Sequence, residues 1–220
     1  MFVKICGNTS EEDALLSVAM GADAVGFIFA PSPRQVAPAL VADIVKRLPR
    51  EVLTVGVFRD EAPARLVEIV NSIGLRAAQL HGHETPEQAQ FVRERVPLLI
   101  QAFPAGDPAV ARAREYGADA VLLDAATPGS GEVFDWSMAE APDGIRLILA
   151  GGLTPENVGK AIAQVHPWGV DVATGVEASP GVKDAVKVRA FVAAVRAATP
   201  PAPEGGDGGD EPYDWDLGGS

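Results

Sequence analysis

The chain has 220 residues, 47% of them hydrophobic, and a formal net charge of −12; that is enough apolar material for one sizeable core. No run of about 18 apolar residues is present to span a bilayer, and from Met1 onward the sequence reads as a strand rather than as a signal segment. Six acids (Glu204, Asp207, Asp210, Glu211, Asp214 and Asp216) and no Lys or Arg lie between Pro200 and Ser220. Without them the excess is −6, which argues against nucleic-acid binding by bulk charge. One cysteine, Cys6, cannot form an internal disulfide, so the chain is expected to be cytoplasmic.

In chain order, residues 2–6 (FVKIC) read as a strand that ends at Cys6-Gly7-Asn8-Thr9. A helix over about 11–20 follows, with Ser10 before it and Glu12 and Asp13 in its first turn. Strand 24–29 leads through Pro31-Ser32-Pro33-Arg34 to a helix over 38–48. Strand 52–58 precedes helix 61–73, strand 76–80 precedes helix 85–96, and strand 98–103 precedes helix 107–116. After strand 119–124 comes a long loop and a short, weakly marked helix within Asp135 to Ala141. Strand 146–150 with helix 154–165 and strand 169–173 with helix 184–198 complete the series. Thr85-Pro86 and Thr154-Pro155 each pair an N-cap Thr with a proline at the first helical position, and Gly21, Gly74 and Gly117 stand where helices must stop. Gly21-Ala22-Asp23-Ala24-Val25 returns as Gly117-Ala118-Asp119-Ala120-Val121, a sign of two equivalent helix-to-strand turns.

Eight strands alternating with helices at roughly 25-residue spacing point to a single α/β domain over 1–199, a closed parallel (β/α)8 TIM barrel, with an open doubly wound sheet as the alternative. The Pro-, Gly- and acid-rich segment 200–220 is expected to be a disordered tail, with Tyr213, Trp215 and Leu217 as a candidate docking motif.

In such a barrel the chemistry sits at the carboxyl ends of the strands. Those ends read Cys6, Phe29 to Arg34, Phe58-Arg59-Asp60, Gln79-Leu80-His81-Gly82, Phe103, Asp124, Gly151-Gly152 and Thr174-Gly175, and polar groups gather there while the strands stay apolar. Cys6 and Asp124, across the mouth from each other, suit a general base and a general acid; the plain alternatives are a small buried hydrophobe and a capping carboxylate. Lys4 shares the side of Cys6 along its strand. An ammonium inside the barrel needs a partner, and Asp171 on the adjoining last strand is the candidate. Gly151, Gly152, Thr174 and Gly175 suit a phosphate held by backbone N–H groups. Arg34, on a proline-stiffened loop, is a candidate carboxylate clamp, or else a surface arginine. His81 is a ligand-facing group or a structural histidine. No His/Cys/carboxylate cluster has zinc spacing and no GxGxxG or P-loop is present, so neither metal nor cofactor is expected.

Taken together, these pieces resemble the phosphoribosylanthranilate isomerases of tryptophan biosynthesis. The likeness rests on Lys4-Ile5-Cys6-Gly7-Asn8-Thr9, Gly26-Phe27-Ile28-Phe29 with Ser32-Pro33-Arg34, Val55-Gly56-Val57-Phe58, Gln79-Leu80-His81-Gly82, Leu123-Asp124, Gly129-Ser130-Gly131 with Phe134-Asp135-Trp136, Ala150-Gly151-Gly152-Leu153, and Asp171 to Glu177 with Pro180 to Asp184. The resemblance implies an Amadori rearrangement of N-(5-phosphoribosyl)anthranilate to the corresponding ketose phosphate. It implies Asp124 as acid, Cys6 as base, Arg34 on the anthranilate carboxylate, and the backbone at Gly152 and Thr174-Gly175 on the phosphate; His81, Gly151 and Asp171 complete the expected substrate-binding set. It further implies a phosphorylated small-molecule substrate, no membrane partner, and a monomer or homodimer. Ala173-Thr174 stands where the family often has two serines. A histidine-pathway isomerase is the nearest rival, but that resemblance calls for an aspartate at the end of strand 1. A barrel that only binds a phosphorylated metabolite is the rival of another class.

Overall fold

A computed structural model of the chain describes residues 1–125 and 135–199. Its eight parallel strands are β1 (Phe2–Ile5), β2 (Ala24–Ile28), β3 (Leu53–Phe58), β4 (Ala77–Leu80), β5 (Leu99–Pro104), β6 (Ala120–Asp124), β7 (Leu147–Leu149) and β8 (Gly169–Val172). They pair in sequence order, and β8 closes on β1, so the sheet is a barrel and not an open doubly wound sheet. Around it run α1 (Glu11–Ala19), α2 (Pro38–Val45), α3 (Pro63–Ile73), α4 (Pro86–Arg93), α5 (Val158–Val165) and α6 (Ala185–Ala198). The segment from Pro200 on, and Gly129-Ser130-Gly131 and Phe134 of the family pattern, lie outside the described residues. No described helix is long and apolar enough to cross a membrane.

The core has two layers because alternate side chains of a barrel strand point to opposite faces. Phe2, Ala24, Val55, Ile100, Leu122 and Ile148 belong to the cluster that fills the interior, and Val3, Ile5, Val170 and Val172 belong to the larger one between strands and helices. The parity set by Phe2 turns Lys4 and then Cys6 inward. That of Leu122 turns Asp124 inward, and that of Ala77 does the same for Gln79 and His81. The β1–β8 register pairs Lys4 with Asp171, and the Lys4 Nζ donates to Asp171 Oδ1 at 2.9 Å with the lysine fully buried. The ion pair expected from the sequence is therefore present.

Local signals explain most helix boundaries. Ser10 Oγ accepts from the Asp13 N–H, and Thr85 with Gln88 forms a reciprocal capping box. Gly74 and Gly117 close their helices in the left-handed conformation. Three expectations need correction. Residues 108–116 form a 3₁₀ helix (Pro108–Tyr116), not an α-helix. Its buried residues Val110, Ala113 and Tyr116 recur every third position, the spacing that a threefold winding aligns in one row. Thr154 does not cap α5, which starts only at Val158. Instead the Asn157 carboxamide accepts from the Thr154 N–H and donates to the Gly152 carbonyl, at 2.8 and 2.9 Å, so the intervening residues shape a loop. The helix expected within 135–141 is a single 3₁₀ turn, Trp136–Met138. A 3₁₀ turn at Thr174–Val176 and the antiparallel hairpin β9 (Glu177–Ser179) and β10 (Val182–Lys183), unmarked by any periodicity, fill the connection from β8 to α6.

Removing one member of a buried pair strands the other's charge. Asp171→Ala should lower the unfolding free energy by about 3–5 kcal/mol in urea denaturation, and Lys4→Met combined with Asp171→Leu should recover most of the loss.

Candidate active site

The mouth of the barrel is built from the first polar residue past each strand. Cys6 follows β1 directly, with its side chain inward and 5% exposed. Burial pushes its thiol above the ordinary value and Asp171 adds to the rise, while Lys4 and Lys183 pull the other way. Lys4 is itself held above its usual value: burial lowers it, but the Asp171 carboxylate and Cys6 outweigh that. A thiol in this setting is a stronger base once ionised, and it has cations at hand to stabilise the thiolate.

Asp124, the last residue of β6, faces inward and is 7% exposed. Its Oδ1 accepts from the Ala125 N–H at 2.7 Å, and its Oδ2 lies 3.3 Å from His81 Nε2. That approach is off-line for a hydrogen bond, since the buried Nε2 meets no acceptor in good geometry among the described residues. Gln79 Nε2 lies 2.9 Å from His81 Nδ1. Which of the two donates in that contact depends on the imidazole tautomer. His81 is thus neither a surface residue nor an ordinary core histidine: β4 aims it at the carboxylate.

Opposite, the ends of β7 and β8 bring glycine-rich backbone together. Gly151 and Gly152 are both left-handed, with φ of 85° and 61°, and their N–H groups donate to no described carbonyl. A Cβ on Gly175 would stand 1.9 Å from the Leu153 carbonyl oxygen, so only glycine lets the two loops pack this closely. Two adjoining left-handed residues with unbonded amide groups are an arrangement that can face an anion.

Arg34 departs from the sequence reading. It is 7% exposed rather than a surface cation, and its Nε and Nη2 each donate to the Glu177 carboxylate at 2.7 Å. Nη2 also donates to Thr174 Oγ1 at 3.2 Å. Its hydrogen bonds to Glu177 hold the guanidinium above its usual value. Asp171, expected among the substrate contacts, is occupied by Lys4 beneath the mouth, which favours its structural reading. Sequence reasoning gave no role to Glu177 and Lys183, although both are buried here: the Lys183 Nζ donates to the Cys6 carbonyl at 2.6 Å and to Glu177 Oε1 at 3.2 Å. The only available signal was a carboxylate and a lysine in a Pro-Gly-interrupted stretch after the last strand. Among the described residues no group of three or more His, Cys, Asp or Glu could hold a metal ion.

The family model for N-(5'-phosphoribosyl)anthranilate (PRA) isomerase matches residues 3–194. The chain belongs to this family. A relative from Desulforudis audaxviator, N-(5'-phosphoribosyl)anthranilate isomerase, is 48% identical over 204 residues, covering 89% of this chain and 98% of its own. The crystal structure of phosphoribosyl anthranilate isomerase from Thermus thermophilus superposes with a TM-score of 0.85 at 44% identity, over 90% of this chain and 100% of the other. A family structure in complex with reduced 1-(o-carboxyphenylamino)-1-deoxyribulose 5-phosphate does so at 0.80 and 41%, over 90% and 99%. Residues matched by the family model include every functional position described above.

Were Cys6 to serve as a base, it would have to be ionised in a site that raises its pKa, and so would act best at alkaline pH. The pH profile of kcat/KM, which reports the free enzyme, should climb through neutrality and level off only above about 8.5, the ordinary thiol value. A plateau reached below pH 7 would contradict the raised thiol.

Proposed function

We propose that the chain converts N-(5-phosphoribosyl)anthranilate to 1-(2-carboxyphenylamino)-1-deoxyribulose 5-phosphate, with Asp124 as general acid and Cys6 as general base. The observation that carries this reading is the inward convergence of Cys6 and Asp124 from β1 and β6, with the glycine amides of the β7 and β8 loops at one side of the mouth. Asp124 gives its proton to the furanose ring oxygen, the C1′–O bond breaks, and the anilino nitrogen's lone pair forms the C1′ imine. Cys6 thiolate takes the C2′ proton, and the electrons of that bond move to nitrogen to give the enolamine. C1′ then gains a proton while the 2′-hydroxyl gives one up, which yields the ketone. Atoms and electrons balance within the substrate, so proton transfers suffice.

The remaining residues bind. N–H groups around Gly151, Gly152 and Gly175 suit the phosphate, with Thr174 as a hydroxyl partner. Arg34 suits the anthranilate carboxylate through its remaining Nη1 edge. His81, beside Asp124, orients the acid. All of these come from one chain, so the reading needs no second copy, although dimeric members of the family exist. A biosynthetic substrate and a lone thiol fit a cytoplasmic enzyme.

The test is a coupled fluorescence assay in which anthranilate and phosphoribosyl pyrophosphate, with the preceding transferase, supply the labile substrate. Wild type should accelerate its loss over the blank, whereas Cys6→Ala and Asp124→Asn should lose about 10³-fold or more in kcat with substrate still bound. A Cys6→Ala variant with near wild-type turnover would remove the base assignment. Arg34→Ala should raise KM by roughly 10-fold or more, as loss of a charge-assisted contact does.

A further inference from the structure

The Arg34–Glu177 contact is built differently from a simple buried ion pair. Arg34 sits on the loop between β2 and α2, where the Ser32 hydroxyl accepts its backbone N–H at 2.9 Å. Glu177 opens β9, 143 positions away, and reaches the Nε–Nη2 edge of the guanidinium with both oxygens. The second Nη2 proton goes toward Thr174. Among the described residues nothing accepts from Nη1. The contacts therefore occupy Nε and both protons of Nη2, and Nη1 is the donor left without a described acceptor.

Glu177 is shared by two cations, since Lys183 Nζ meets its Oε1 at 3.2 Å. Lys183 is paired to Glu177 across the β9–β10 hairpin and bonds the Cys6 carbonyl at 2.6 Å. The hairpin thus straps the guanidinium to the backbone of the residue read as the base.

We propose that Glu177 is a positioning residue: it holds Arg34 with its Nη1 edge toward the mouth and thereby makes the site selective for substrates bearing a carboxylate on the amino substituent. The inference rests on reading Arg34 as the carboxylate clamp and deepens it, because it assigns the selectivity to a residue that does not touch the substrate.

Two substrates separate a positioning role from a structural one. The condensation products of ribose 5-phosphate with anthranilate and with aniline differ only in the carboxylate. Glu177→Gln keeps the size and one acceptor but loses the charge and the second acceptor. It should raise KM for the anthranilate adduct by about 10-fold, with kcat within a few-fold, and leave kcat/KM for the aniline adduct unchanged. In an Arg34→Ala background, Glu177→Gln should add nothing further, because the two act as one unit. Equal losses on both substrates, or full additivity with Arg34→Ala, would overturn the proposal and make the pair a structural tie. If Arg34→Ala itself fails to distinguish the two substrates, the clamp reading falls and this one with it, a result distinct from failure of Glu177 alone. Glu177→Asp, which keeps the charge but draws it back by one methylene, should show the same selective loss. It decides the matter if Glu177→Gln unfolds on a thermal melt.

Discussion

Closure of β1 on β8 is the constraint from which the mouth of this barrel follows. The register that pairs Phe2 with Gly169 and Lys4 with Asp171 sets which side chains of β1 point inward, and so fixes where Cys6 emerges. The interior there is not wholly apolar. Burying an ammonium is tolerable only opposite a carboxylate, and the 2.9 Å Lys4–Asp171 contact ties the first strand to the last just beneath the reacting positions. A register slip of one residue would turn Lys4 outward into the apolar layer and Cys6 away from the mouth.

Above that pair the charges form a connected series. Asp171 holds Lys4, Lys4 lies close enough to Cys6 to lower its thiol's proton affinity, and Lys183 bonds the Cys6 carbonyl and reaches Glu177, which grips Arg34. Lys4, Lys183 and Arg34 stand among the carboxylates of Asp171, Glu177 and Asp13 around a neutral thiol, and the two lysines favour its ionisation. Burial works against this: it raises the Cys6 thiol and depresses Lys183, with Glu177 and Cys6 resisting the fall of the lysine. Glu177 feels burial upward as well, yet the Arg34 hydrogen bonds and the Lys183 charge leave its carboxyl below the usual value.

The acid side is organised separately. Asp124 belongs to β6 and takes its orientation from its own loop amide, with His81, which Gln79 contacts from two positions earlier on β4, 3.3 Å away. The proposed acid and base therefore stand on different strands with different neighbours, a separation that suits one group giving a proton while the other takes one.

By itself the sequence determined the eight barrel strands and their order, the closed barrel as one of two architectures, and the strand ends at which Cys6, His81, Asp124 and the paired glycines fall. These depend on local signals: apolar runs, caps such as Ser10 and Thr85, and stops such as Gly74. It failed where a tertiary contact outbid the local signal. Asn157 spends its side chain on the Gly152 and Thr154 loop, so the Thr154-Pro155 pair starts no helix, and the three-residue spacing of Val110, Ala113 and Tyr116 winds 108–116 more tightly than an α-helix. Arg34 read as a cation above the mouth, because nothing near it in sequence could show a carboxylate 143 positions on. Only closure of the barrel, and the hairpin that follows the last strand, bring Glu177 and Lys183 to Arg34 and Cys6, since hydrogen bonds between remote side chains depend on register and chain path rather than on neighbouring residues.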